Sequence, residues 1–237
     1  MATVTSENYP QLLSLAVHEL RTPASVVGGY LRMLQRNTEE PLTDHQRKLI
    51  DEAEKSCARL VALIAEMSDI GKLDAGLLPL AQQQIDLNAL VGDVAIHVHE
   101  GEDRDVRLVL DGDSAAAPMI GDRSRLRHAF DAVFRTVLRE KAGPATVVAH
   151  RRRDSLDGRA CMTIVVAESA SVQEAYARAR GPFNERHGGV GLALPLARRV
   201  FEGHGGQIWS PQAATADSEA DDVLARTAAI VSLPLTE

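Results

Sequence analysis

Apolar residues recur with a helical period from about Asn8 to Gln35. With Leu13 set to zero and about 100° per residue, Ala16, Leu20, Ala24, Val27, Leu31 and Leu34 fall within about 60° of it. That is a continuous seam of coiled-coil type. His18 falls about 140° away and Thr22 about 180° away, so both face solvent in the i, i+4 relation. Glu19 sits on the flank. Pro23 lacks an N–H and is expected to loosen the bond to the Glu19 carbonyl, bending the helix beside His18. Glu39-Glu40-Pro41-Leu42 reads as a loop, and Thr43-Asp44-His45-Gln46 fits a capping box that opens a second helix. The second helix carries Leu49, Ile50, Ala53, Cys57, Leu60, Leu63, Ile64, Met67 and Ile70, with Gly71 and Gly76 as stop signals. One helical hairpin cannot bury both stripes, so a dimeric four-helix bundle, a homodimer, is the expected completion.

After Gly76 the texture changes. Ile85-Asp86-Leu87 opens a second region, with a helix from about Asn88 to His99 and others over Arg123–Glu140 and Val190–His204. Strand-like runs lie at Val106–Leu110, Thr146–Arg151, Met162–Ala167 and Ala228–Leu233. Helices and strands interleave without regular βαβ spacing, which predicts an α+β sandwich with helices on one sheet face. Arg151–Gly158 reads as a hairpin connection with its arginines in a solvated turn, and Ala213–Asp222 as a mobile acidic loop. The expected domains are residues 1–78 and 79–237.

Composition narrows the function. Hydrophobic residues at 45% and charged residues at 25% describe a globular chain. Aromatics at 3% leave the core to Leu, Val, Ile and Ala. A net charge of −7 lacks the basic footprint of a nucleic-acid binder. Cys57 and Cys161 show no metal-type spacing and read as reduced thiols. No apolar run reaches the roughly 18 residues of a membrane span, and a cytoplasmic location is expected. His97 and His99 would share a face if extended, but an amphipathic segment is the expected reading, and no metal site is predicted.

His18-Glu19-Leu20-Arg21-Thr22-Pro23 resembles the phosphoacceptor box of two-component sensor histidine kinases, and the match is complete over that segment. The surrounding hairpin resembles their dimerisation and phosphotransfer domain. The resemblance implies that His18 is the nucleophile that carries a phosphoryl group. Glu19 would orient and deprotonate the imidazole, and Thr22 would position a water that dephosphorylates a response regulator. The implied partner is the receiver domain of that regulator.

The second region resembles the family's ATP-binding domain, a Bergerat-type α/β sandwich. Gly188-Gly189-Val190-Gly191-Leu192-Ala193-Leu194 and the following Val200-Phe201-Glu202-Gly203-His204-Gly205-Gly206-Gln207-Ile208-Trp209 carry the likeness. It implies Gly189 and Gly191 as phosphate-approaching positions. Asp122–His128 resembles the opening of the family's asparagine box, but Ala132 and Thr136 stand where the two asparagines belong. Thr136 is then the remaining, weaker candidate for holding Mg²⁺ on ATP. Glu168-Ser169-Ala170-Ser171-Val172 takes the register of the first glycine box, with Glu168 as the adenine acceptor and Ala170 and Val172 replacing glycines. Pro182-Phe183 resembles a remnant of the phenylalanine box, after a short lid segment. The resemblance thus names ATP and Mg²⁺ as cofactors while the residues that should hold them are eroded. The favoured reading is a phosphotransferase or phosphatase of histidine-kinase descent. A divergent but active autokinase and a non-enzymatic dimeric regulator-binding module are the alternatives. His187 and His204 flank the glycine box and read as surface histidines, and Trp209 as a strand anchor.

Overall fold

The structure is a computed structural model that describes residues 9–37, 41–156, 158–185, 189, 191–214 and 222–236. The chain divides into two compact units, Met1–Leu78 and Pro79–Glu237.

The first unit is a helical hairpin of α1 (Tyr9–Arg36) and α2 (Asp44–Asp74). The capping box forms as the sequence predicts. Thr43 Oγ1 accepts from the Gln46 N–H at 3.3 Å, and Gln46 Oε1 accepts from the Thr43 N–H at 3.0 Å. Helix α1 runs through Pro23 without a break. Gly71 does not stop α2. It is buried inside the helix, and a Cβ there would meet Leu13 Cδ2 at 3.0 Å, so glycine lets α1 approach. Gly76, at φ +65°, follows the helix end.

The expected single seam on α1 is divided. Val17 and Gly28 are buried, and Leu13, Ala24, Leu31 and Gln35 are half-buried. Gln35 donates to Asp51 at 3.0 Å and to Glu54 at 2.9 Å. Leu20, Val27 and Leu34, seven residues apart, stay about half exposed. They lie on the opposite flank of the same stripe, and α2 leaves Leu49 and Leu60 similarly uncovered. The hairpin contact is therefore rotated by about half a residue's turn from the centre of the sequence stripe.

The second unit is α+β. In chain order it comprises β1 (Gln83–Asp86), α3 (Leu87–His97), β2 (Val106–Gly112), β3 (Pro118–Gly121), α4 (Arg123–Arg139), β4 (Ala145–Leu156), β5 (Arg159–Glu168), α5 (Val172–Ala177), β6 (Arg180–Gly181), α6 (Ala193–Gly203), β7 (Gln207–Pro211), α7 (Val223–Thr227) and β8 (Ala229–Pro234). Strands β1 and β3 form a small antiparallel pair. The main sheet has the order β2-β4-β5-β8-β7-β6, with β2 and β4 parallel and the other pairs antiparallel. The short β1, β3 and β6 carry too little periodicity to be seen in the sequence.

The predicted hairpin connection at Arg151–Gly158 does join β4 to β5, but its turn is shorter than the sequence suggests. Residues 151–156 extend β4, paired with β5 out to Leu156↔Arg159. Arg151 is buried and donates from Nε to the Asp111 carbonyl at 3.2 Å, and Arg153 pairs with Asp113 at 2.8 Å. The arginines look like turn residues in sequence, yet they cross-link β4 to the strand beside it. The Ala213–Asp222 loop falls largely outside the described residues.

Aromatic mass is concentrated where α4 meets α6. Phe130 lies 6.0 Å from Phe134 and 5.0 Å from Phe201 between ring centroids, and all three are buried. On β5, alternation places Met162, Ile164 and Val166 on one face and Thr163, Val165 and Ala167 on the other. The second set joins Val148, Ile230, Val172 and Ala175 of α5, and Leu224 of α7 in one buried cluster. Two short helices therefore cover a sheet face that the sequence leaves bare.

Helix α7 is pinned by its N-cap, Asp222. Its carboxylate accepts from the Ala225 N–H at 3.0 Å, the Ala214 N–H at 3.1 Å and Arg178 Nη1 at 2.6 Å. The Ala225 and Ala214 backbone donors and Arg178 hold its pKa down to about 2, against burial, which opposes this. A depressed folded-state pKa stabilises fully above the unfolded value of 3.8 and is lost as pH falls towards 2. Urea unfolding of the wild type should show this acid loss between those limits. Asp222→Asn should be less stable at neutral pH and show a shallower loss over the same interval.

Candidate functional site

His18 stands on α1 with its side chain 78% exposed. Its Nδ1 lies 3.3 Å from Glu19 Oε1, and Glu19 is itself exposed. Thr22 is exposed one helical turn on. The periodicity of the apolar seam fixes this presentation, because residues about 140° from the buried stripe cannot turn inward without unseating Val17 and Ala24. A proton on Nδ1 can be given to the Glu19 carboxylate, which leaves the lone pair of Nε2 outward. His18 also borders a cleft of about 680 Å³ between α1 and α2, lined further by Leu13, Ser14, Met67, Ser68 and Lys72. The α2 contribution was not foreseen. Its one sequence signal is Gly71, a small residue on an apolar helix face.

The four nucleotide candidates of the second unit behave differently from one another. Thr136 is buried in α4, and its hydroxyl donates to the Ala132 carbonyl at 2.8 Å. The cavity beside it, lined by Phe183, Ser210, Arg226 and Thr227 among others, has a volume of about 10 Å³. That is about the space of one water molecule. Glu168, at the end of β5, is ion-paired with Lys141 at 2.9 Å. Lys141 is a buried lysine directly after the α4 C-cap, 8% exposed against 47% for its partner. No periodicity or motif marks it in the sequence. Val172 is buried in the cluster that seats α5, so it serves packing. Gly189 and Gly191 are described with φ of +58° and +73°, conformations that favour glycine. Gly188, Val190 and His187 lie outside the described residues.

His204 is not a surface residue. The Asp122 N–H donates to its Nε2 at 2.8 Å, so Nδ1 carries the proton and donates to the Val200 carbonyl at 2.6 Å. It ties the end of α6 to the start of α4, and a Cβ on Gly121 would meet its ring at 2.8 Å. His97 and His99 are each held locally, by the Asp93 carbonyl and by Glu102. Among the described residues no cluster of three or more His, Cys, Asp or Glu could hold a metal ion. Cys57 and Cys161 are buried free thiols, and Trp209 packs against the α5 cluster. Among the described residues no helix is long and apolar enough to cross a membrane.

Residues 11–76 match the His Kinase A (phospho-acceptor) domain, with His18 inside the matched segment. The chain is 26% identical over 214 residues to the signal transduction histidine-protein kinase BarA of Escherichia coli K12, covering 84% of this chain and 22% of that protein. It therefore spans about a fifth of that relative's length. Its fold is similar to that of full-length ShkA in complex with AMPPNP, at a TM-score of 0.67 and 20% identity over 96% of this chain and 46% of that one. It is also similar to histidine kinase ThkA in complex with the response regulator TrrA, at a TM-score of 0.54 and 14% identity over 97% and 63%. The likeness to both structures is one of fold. The phosphoacceptor helix, the domain match around it and the kinase relatives that align across both units agree. Residues 11–76 belong to the His Kinase A (phospho-acceptor) domain family, and across both units the chain is similar to histidine-protein kinases.

Proposed function

We propose that His18 carries a phosphoryl group and exchanges it with an aspartate of a response-regulator receiver domain. The observation that carries this reading is the exposed imidazole with Nδ1 facing Glu19 on a rigid helix. In the direction towards His18, Nε2 attacks the phosphorus of the regulator's aspartyl phosphate, the P–O bond to the aspartate breaks with its electron pair returning to the carboxylate, and Glu19 takes the Nδ1 proton. In the onward step a carboxylate oxygen of the regulator attacks phosphorus, the P–N bond breaks, and its electron pair returns to the imidazole. Thr22, one turn away, is placed to orient a water for regulator dephosphorylation. Residues 1–78 serve dimerisation and phosphotransfer in this scheme. Residues 79–237 are a degenerate ATP-binding domain. The ThkA–TrrA complex lends the partner class, since that kinase of similar fold binds a response regulator.

The residues in the second unit do not fit a magnesium nucleotide. Thr136 has spent its hydroxyl proton on its own helix, in a cavity of about 10 Å³. The carboxylate of Glu168, which an adenine amino group would need, is held by Lys141. Val172 is fixed in the core. These features support a phosphotransferase or phosphatase over an autokinase. An active autokinase is the second reading. It is favoured by the positive φ of Gly189 and Gly191 and by the AMPPNP held by ShkA.

Three outcomes follow. His18→Gln should abolish phosphoryl exchange with a cognate regulator and leave the fold intact, because the side chain is 78% exposed. Thr22→Ala should slow regulator dephosphorylation by about 100-fold and spare transfer. Radiolabelled phosphoryl transfer and circular dichroism read both, and exchange at the wild-type rate in His18→Gln would sink the proposal. The same label should pass from phosphorylated regulator but only feebly from ATP. Tight, Mg²⁺-dependent ATP binding by calorimetry would reverse the choice between the two readings.

The chain should also be a homodimer. Leu20, Val27 and Leu34 with Leu49 and Leu60 form uncovered apolar rows, and each buried leucine contributes about 1.5–3 kcal/mol. Light scattering should give twice the chain mass at micromolar concentration, and Leu20→Asp with Leu60→Asp should halve it. A wild-type monomer would exclude the bundle.

Removing either partner of the Lys141–Glu168 pair should have unequal effects. Glu168→Ala strands a buried ammonium and should cost about 1–3 kcal/mol. Lys141→Met leaves a half-exposed carboxylate in water and should cost less than about 1 kcal/mol, as urea unfolding would show.

A further inference from the structure

The sheet face under α5 carries a second cavity, half-open and about 150 Å³ in volume, that shares no lining residue with the one at Thr136. Its floor is a polar row in an apolar sheet. Register sets Arg152 of β4 opposite Thr163 of β5, Thr163 opposite Ser232 of β8, and Ser232 opposite Gln207 of β7. Opposed residues share a face, so this row runs across four strands about 4.8 Å apart. The adjacent row, His150, Val165, Ile230 and Trp209, is mainly apolar.

Two guanidiniums are held flat at the ends of the polar row. Arg152 lies over the Tyr176 ring at 3.8 Å, and Arg180 over the Trp209 ring at 4.4 Å. Arg152 is ion-paired with Asp154 at 2.8 Å, and Arg178, a third cation on the wall, with Glu174 and Asp222 at 2.6 Å each. Arg180 donates to the neutral Gln207 Oε1 at 2.8 Å. Among the described hydrogen bonds of the three arginines on this wall, only those of Arg180 reach no carboxylate, though its charge is felt by Asp154. Burial, working against the attraction of Arg152, pushes the Tyr176 hydroxyl up to about 12, so it stays protonated and adds no negative charge.

Between the two stacked arginines lies Ser232, 1% exposed, whose hydroxyl oxygen has no hydrogen-bond partner among the described residues. An orphaned hydroxyl in an otherwise satisfied sheet is costly and calls for a partner. A guanidinium with no described hydrogen bond to a carboxylate and a hydroxyl without a described partner line one cavity, and both are complementary to the same group, with Asp154 on the wall as the one acidic neighbour. Arg recognises planar or tetrahedral oxyanions with two donors.

We propose that this cavity is a binding site for a small oxyanion, a carboxylate or phosphate. Its charged head sits on Arg180 and accepts from Ser232, and its body rests on Ile230 and Ala175. A cavity of this size holds about a benzene ring, which limits the ligand to roughly six to eight heavy atoms and excludes a nucleotide. The site is independent of His18 and of the proposed phosphotransfer.

The test uses the full chain and two titrations followed by ¹H–¹⁵N spectra: inorganic phosphate, and straight-chain monocarboxylates of two to six carbons. One or both series should saturate at low-millimolar concentration or better and shift the Trp209 indole and Arg180 Nε–H signals. Saturation by phosphate alone assigns a phosphoryl head, and by carboxylates alone an organic acid. Arg180→Gln, at an exposed position, should weaken binding at least tenfold with the fold unchanged. Ser232→Ala should raise the melting temperature of the free protein, since it removes the orphan, and still weaken binding. The proposal is overturned if neither series saturates, or if Arg180→Gln binds as tightly as wild type. It is also overturned if Ser232→Ala lowers stability and leaves binding unchanged.

Discussion

The 3.6-residue period of α1 is the constraint on which the first unit depends. A histidine that exchanges phosphoryl groups has to be rigid and wet at once. Rigidity comes from burying one side of the helix, and exposure from standing well off that side. Val17 and Ala24 pack against α2 while His18, between them in sequence, is 78% exposed. Gly71 and Gly28 permit this closeness. A side chain at Gly71 would push Leu13 away, and one at Gly28 would crowd Cys57 Sγ at 3.2 Å. The seam is wider than one neighbour can cover, which is why Leu20, Val27 and Leu34 are left over. The same surplus that leaves the hairpin incomplete is the surface on which the proposed homodimer would close.

In the second unit the sheet is served from both faces. The Phe130–Phe134–Phe201 contact holds α4 to α6, and His204 locks the end of α6 to the backbone at Asp122. The opposite face is closed by α5 and α7, and Asp222 with Arg178 fastens one short helix to the other. The closure has chemical consequences. Val172 is drawn into the core, Glu168 meets Lys141, and space beside Thr136 shrinks to that of a water molecule. Thr136, Glu168 and Val172, three of the positions assigned to a nucleotide, thus have partners within the fold, in keeping with the proposed loss of ATP chemistry. An ion pair with one buried member is maintained because stranding the ammonium costs more than the pair gains.

The phosphoacceptor side of the protein was legible because its determinants are local. A helical period, a capping box and the His18–Pro23 segment are each readable within a few turns, and α1, α2 and their cap follow them closely. The long strands and helices of the second unit were legible for the same reason. Glycine was the ambiguous letter. Gly71 and Gly76 look alike in sequence, yet one sits in a packed helix and the other ends it at φ +65°. Of the arginine run, Arg152 and Arg153 are exposed as their charge suggests, whereas Arg151 is buried on the strand, where its guanidinium satisfies a carbonyl beside it.

By itself the sequence determined the α+β class, the helical hairpin, the identity and exposure of His18, and the erosion of the positions at Ala132, Thr136, Ala170 and Val172. Tertiary structure alone decided what fills the eroded site and what else the second unit presents. The Lys141–Glu168 pair spans 27 residues. The row from Arg152 through Thr163 and Ser232 to Gln207 gathers four strands, and the stacking of Arg180 on Trp209 joins residues 27 and more apart in the chain. Such contacts carry no periodicity, because they depend on strand order and register, which are set by how the apolar faces pack and not by any local preference of the residues that meet.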